Sequence, residues 1–146
     1  MDPVREFLES ARWERSRAAR LAKKIAQITT QVEHITPSYS GMPGGGSVDV
    51  SAAWTYLAQL KIEYEEELDK SERRIKEVST FIDSLPTPEY REILAWRYGL
   101  GLPWPAVLEG VKAAGLYYTE RHLFRLHGLA LNEAREKWKE THNDEK

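Results

Sequence analysis

Tyr118-Thr119-Glu120-Arg121-His122-Leu123-Phe124-Arg125-Leu126-His127-Gly128-Leu129-Ala130-Leu131-Asn132-Glu133-Ala134-Arg135 reads as one amphipathic helix with two unlike faces. At about 100° per residue, Leu123, Leu126, Ala130 and Ala134 fall in one narrow sector. Phe124 and Leu131 flank it on one side and Leu129 on the other. The opposite sector holds Arg121, Arg125, Gly128, Asn132 and Arg135, with His122 beside it. Thr119 stands where an N-cap belongs, and the rod extends to about Lys139. Exposed amides at such a start can hold a phosphate.

Upstream of it the chain is punctuated like a set of short helices. In Pro86-Thr87-Pro88-Glu89, Thr87 caps, Pro88 takes the first helical position and Glu89 meets the positive end of the dipole. Tyr90, Ile93, Leu94, Arg97 and Tyr98 carry that helix to Gly99, which suits a left-handed stop with Leu100 as its hydrophobic companion. A second helix begins near Trp104-Pro105, with Trp104, Val107, Leu108 and Val111 on one face, and ends at Gly115. Three short helices joined by tight glycine turns, over residues 86–140, form a compact helix-turn-helix module. The helical spacing of Trp96, Tyr98 and Trp104 assigns them to its core rather than to a stacking platform for single strands.

Residues 1–85 follow another rhythm. Asp2 as N-cap and Pro3 at the first helical position start a helix. Its apolar positions run Val4, Leu8, Ala11, Ala18, Leu21, Ile25, Ile28, Val32 and Ile35, and Thr36-Pro37 is expected to end it. Residues 37–47, rich in glycine, proline and serine, read as a linker; no lysine follows Gly46 in phosphate-loop spacing. The second helix, from about Val48 to Leu85, has the seam Trp54, Leu57, Lys61, Tyr64, Leu68, Ser71, Ile75, Val78, Ile82, Leu85. Its steps alternate three and four throughout, a heptad pattern. A rod of roughly 57 Å needs a partner strip, either the first helix folded back or another copy of the chain. The expected architecture is all-α: a long, coiled-coil-like N-terminal helical hairpin, then the three-helix module, then a disordered tail at 141–146.

Composition narrows the function. The 146 residues are 30% charged and 41% hydrophobic, with no cysteine, which excludes disulfides and thiolate metal sites. The start is no secretory signal, and no stretch approaches a membrane span of roughly 20 apolar residues, so the expected compartment is the cytoplasm. His34, His122, His127 and His142 offer no shared face for a metal, and His127 reads as a packed, hydrogen-bonded residue at the core edge. No nucleophile stands with a matching base, so the expectation is neither enzyme nor cofactor. The net charge of −2 is distributed unevenly: 7 basic and 5 acidic residues from Met1 to Thr36, 5 and 9 from Val48 to Leu85, and 9 of each from Pro86. A strong nonspecific nucleic-acid binder carries a basic excess; here any such contact must come from a local face and from dimerisation or a partner.

The third helix offers that face. Arginine grips guanine O6 and N7 with two donors, and asparagine pairs with adenine. Helix-turn-helix proteins present the first turns of the second helix to base edges. The candidate DNA-binding residues are therefore Thr119, Glu120, Arg121, His122, Arg125 and Asn132. The candidate hairpin or oligomerisation seam is Leu21, Ile25, Ile28, Val32, Trp54, Leu57, Tyr64, Leu68, Ile75 and Val78.

A resemblance adds to this. Ile82-Asp83-Ser84-Leu85, Arg91 through Tyr98, Trp104, and Tyr118 through His127 with Ala130-Leu131 resemble region 4 of sigma-70 factors. More narrowly, the chain is similar to the ArpU-like late transcription regulators of phages and prophages of Gram-positive bacteria. The resemblance covers roughly the last 60 residues. It implies a sequence-specific transcription regulator of double-stranded DNA, contact with host RNA polymerase, and recognition-helix positions at Thr119, Arg121 and Arg125. The chain departs from the pattern at Lys112-Ala113-Ala114-Gly115-Leu116-Tyr117-Tyr118, where either the second helix runs on or the turn is enlarged. Two other readings stand beside this one: a small-terminase-like packaging protein, and a helical protein-interaction module that binds no DNA.

Overall fold

The computed structural model of the chain describes residues 2–40 and 50–143. Among the described residues there are five α-helices and no strand: α1 (Pro3–Ser40), α2 (Val50–Asp83), α3 (Pro88–Leu94), α4 (Trp104–Ala113) and α5 (Glu120–Asn143). One π-helical turn, Ala95–Gly99, continues α3. The all-α expectation holds. Residues 41–47 of the expected linker and 144–146 of the expected tail lie outside the described residues.

Two helix ends differ from expectation. The helix α1 continues past Pro37 to Ser40, at the cost of one backbone hydrogen bond that a proline nitrogen cannot make. At the other end of the chain α5 reaches Asn143, so residues 141–143 are helical and not tail. There the Thr141 hydroxyl donates to the Lys137 carbonyl at 2.6 Å, and the His142 ring stacks on Trp138 with centroids 3.9 Å apart.

Contacts divide the chain into two compact units, Ser16–Glu72 on one hand and Met1–Arg15 with Arg73–Lys146 on the other. The division expected after residue 85 is not where they part. One buried cluster of the second unit explains why. It joins Val4, Leu8 and Ala11 of α1, Val78 and Ile82 of α2 and Leu85 just after it, Leu94 and Tyr98, and Ala130, Leu131 and Ala134 of α5. Burying each of the valine, leucine and isoleucine side chains stabilises by roughly 1.5–3 kcal/mol, so α1's opening and α2's close belong to the same core as α5. Phe7, Phe81 and Trp138 add a ring trio at 5.1–5.9 Å between centroids.

A second cluster in that unit gathers Ile93, Val107, Val111, Leu123 and Leu126 from α3, α4 and α5. Gly110 lets α4 approach the π turn: a Cβ there would lie 2.5 Å from the Trp96 ring. The expected left-handed stop at Gly99 is not made. Instead the Leu100 N–H bonds the Ala95 carbonyl at 2.8 Å, closing a wider turn, and Gly101 takes the positive φ of 70°. Gly99 is buried, and its carbonyl accepts a hydrogen bond from Arg15. Thr87 sits at the N-cap of α3 but does not cap with its side chain; its hydroxyl donates to Glu133 Oε1 at 2.6 Å, a tertiary partner that wins over the local one.

In the unit Ser16–Glu72, Leu21 and Ile28 are buried, and Ile25, Val32, Leu57, Tyr64 and Leu68 are half-buried. Arg17 pairs with Glu67, and the Lys24 ammonium lies 5.2 Å from the Tyr64 ring centroid. These two contacts join α1 to α2, at residues 17 and 67 and at residues 24 and 64. Ser71 is fully buried in the seam, whereas Trp54, expected there, is 48% exposed. The remaining expected seam residues, Ile75 and Val78, belong to the other unit, half-buried and buried respectively.

Candidate nucleic-acid interface

The start of α5 is built by its own backbone demands. The first N–H groups of a helix lack intrahelical partners, and the Thr119 hydroxyl accepts one from His122 at 3.2 Å while the Thr119 carbonyl accepts the Leu123 N–H at 2.9 Å. The expected cap is thus made. The approach to it is an enlarged turn and not a longer second helix: α4 stops at Ala113, and Gly115 adopts φ 90°. The Leu116 N–H reaches back to the Val111 carbonyl at 2.9 Å and the Gly115 N–H to Lys112 at 2.9 Å, the paired bonds of a Schellman stop. The Tyr118 hydroxyl then donates to Glu89 Oε2 of α3 at 3.1 Å. Burial, and then the Glu89 carboxylate, push that hydroxyl's pKa up, keeping it a donor. Its ring meets His122 edge-on at 5.2 Å.

Leu123 and Leu126 pack α5 against α3 and α4, and Glu120, Arg121, Arg125 and Gly128 face outward; all four are exposed. Among the described residues neither the Arg121 nor the Arg125 guanidinium is engaged in a hydrogen bond or ion pair. Phe124 projects beside them, 43% exposed, its inner edge against Trp104 at 5.1 Å. His122 is half-buried against Tyr118, less open than expected for a base-reading side chain.

The far end of the same face is differently placed. Arg135 donates to Asp2 Oδ2 through Nε at 2.9 Å and Nη2 at 2.7 Å, and through Nη1 to the Asn132 side-chain oxygen at 2.6 Å. Asp2 also accepts the Val4 N–H at 3.2 Å as the cap of α1. The hydrogen bond from Arg135 holds the Asp2 carboxyl below its usual pKa, against the opposing effect of burial. Asn132 is exposed but already engaged, so the expected reading face divides into an open part, Arg121, Arg125 and Gly128, and a tethered part, Asn132 and Arg135. The tether was not legible because Asp2 and Arg135 meet only through the fold.

Behind the open part the support is aromatic. His127 is buried, 2.8 Å from the Tyr98 hydroxyl through Nε2, with its ring 4.6 Å from Trp104. This is the packed, hydrogen-bonded position expected for it. Burial first, then the charges of Arg5, Arg97 and Arg135, lower its pKa to about 4, so the imidazole is neutral near pH 7. Arg97 stacks on Trp104 at 4.5 Å and donates to the Leu102 carbonyl at 3.0 Å; burial, and then the neighbouring Arg12, lower its pKa. Tyr98 is buried in the module core as expected, while Trp96 and Trp104 are half-buried.

No cluster of three or more metal-ligating side chains occurs among the described residues, and no helix among them is long and apolar enough to cross a membrane. No family model matches the chain, and no curated protein or solved structure compared with it shows significant similarity.

Proposed function

We propose that the chain is a sequence-specific double-stranded-DNA-binding transcription regulator of a phage or prophage, acting in the host cytoplasm. In this reading α4 and α5 are the two helices of a sigma-region-4-like helix-turn-helix, and the first turns of α5 enter the major groove. Arg121 and Arg125 read base edges or grip phosphates, and Thr119 presents the helix start to the backbone. The paired α1 and α2 join two copies, whose modules bind half-sites spaced by whole helical turns. Contact with host RNA polymerase follows from the resemblance to sigma region 4.

The observation that supports this reading is the unengaged state of Arg121 and Arg125. Both are exposed on the open side of a capped helix start. Selection of bound duplexes from a random-sequence library tests it. Enrichment of a common motif, with affinity that falls as salt rises because phosphate contacts release counterions, is the expected result; no enrichment at low salt removes the reading.

A second reading, a helical protein-interaction module, draws on the large exposed aromatics Trp13, 74% exposed, and Tyr117, 78% exposed. It predicts that duplex binding is absent or insensitive to salt.

A further inference from the structure

Most of the described glycines have an internal reason to be glycine. Gly101 and Gly115 carry positive φ, and Gly110 lies against the Trp96 ring; Gly99 is buried, although a Cβ there would meet nothing nearer than 3.9 Å. Gly128 has none. It lies in the interior of α5 with ordinary helical backbone, and a Cβ built on it would meet nothing within 4 Å. A glycine in a helix interior costs stability relative to alanine, through backbone entropy alone. Nothing among the described residues offsets that cost.

Its position suggests what does. On the helix surface Gly128 follows Arg121 by seven residues, almost two turns, and so lies on the same line. Phe124 and Arg125, four and three residues before it, flank it. All are exposed. Seven residues advance the axis by about 10 Å, comparable with the roughly 12 Å width of the major groove. A helix that sets Arg121 on base edges therefore brings residue 128 to the groove's edge, where the phosphate strand passes. A side chain there would hold the helix off the strand; a bare Cα lets it close.

We propose that Gly128 is a positioning residue at which α5 passes a DNA phosphate strand at backbone contact distance. The inference rests on the groove-binding reading and adds to it the depth to which α5 seats. Its signature is a pair of effects of opposite sign. Gly128→Ala should raise Tm by roughly 2–4 °C, because alanine favours the helix, yet weaken binding by about tenfold to the duplexes enriched from the random library. Gly128→Leu should weaken binding further while remaining folded. The stabilised alanine variant cannot lose binding through misfolding.

If Gly128→Ala binds the enriched duplexes as the parent does, while Arg121→Ala binds more weakly, this inference is overturned and the groove reading stands. If the parent enriches no duplex, both fall.

Discussion

The Tyr98 hydroxyl lies 2.8 Å from His127 Nε2, a buried hydrogen bond that fastens the π turn after α3 to the middle of α5. It ties the two buried clusters together, since Tyr98 belongs to one and His127 packs against Trp104 at the edge of the other. With burial and three arginine charges holding the imidazole pKa at about 4, the unfolded chain binds this proton more readily than the folded one. Stability at this position is therefore complete above the ordinary histidine value near 6.5 and is lost as pH falls from there towards 4. The loss approaches roughly 3 kcal/mol at the full shift. Thermal unfolding at a series of pH values should show it, and His127→Gln should flatten that part of the profile. A parent and variant with parallel profiles would contradict the buried, neutral histidine.

Gly110 makes a local prediction. A methyl group there would lie 2.5 Å from a ring that cannot easily yield, because Trp96 Nε1 donates to Glu92 at 2.9 Å. Gly110→Ala should destabilise by about 1–3 kcal/mol by overpacking, despite alanine's better helix propensity. Urea unfolding measures this directly, and a stabilised variant would mean that α4 and the π turn separate freely.

The shared core predicts that the part of the chain from Pro86 onward does not stand alone. A fragment beginning at Pro86 exposes Leu94, Tyr98, Ala130, Leu131 and Ala134, which α1 and α2 otherwise help to cover. It should show no cooperative thermal transition. In the whole chain Leu8→Ala, though distant in sequence, should cost about 2–5 kcal/mol as a core truncation. A fragment that melts cooperatively at the parent's temperature would restore a boundary at residue 85.

For the proposed groove contact, Arg121→Ala and Arg125→Ala should each weaken binding to the enriched duplexes by roughly 1–3 kcal/mol if they read bases. A phosphate contact instead lowers the salt slope by about one. Tm should barely change, since both side chains are exposed and unengaged. Gel shifts in which both variants bind as the parent does would remove these residues from the interface.

Much of this was legible in the sequence, and what was not has a common cause. The alternating seam from Leu57 to Leu85 identified α2 and its inward face, though Trp54, its first expected member, is exposed. Because the rhythm never breaks, it could not mark where α2 leaves the unit Ser16–Glu72 and joins the core of α5. Thr119 was read correctly because its capping bond is local. Thr87 was not, because Glu133, 46 residues away, takes its hydroxyl. The π turn depends on the Gly101 backbone, on Arg15 reaching Gly99 and on Trp96 meeting Gly110, so Gly99 alone gave the wrong stop. On α5 the sector of arginines was visible, but not that Asp2 would claim Arg135 and leave Arg121 and Arg125 open.

The helix α5 is seated in both clusters at once, Leu123 and Leu126 in one and Ala130, Leu131 and Ala134 in the other. A rod clamped at two stations has one permitted angular phase. Inserting or deleting a residue between Leu126 and Ala130 would turn one station by about 100° against the other, so that no setting satisfies both. The direction of Arg121 is thus fixed from behind, by buried side chains. The outward residues can change without disturbing either cluster, whereas the number of residues between the two anchor points cannot.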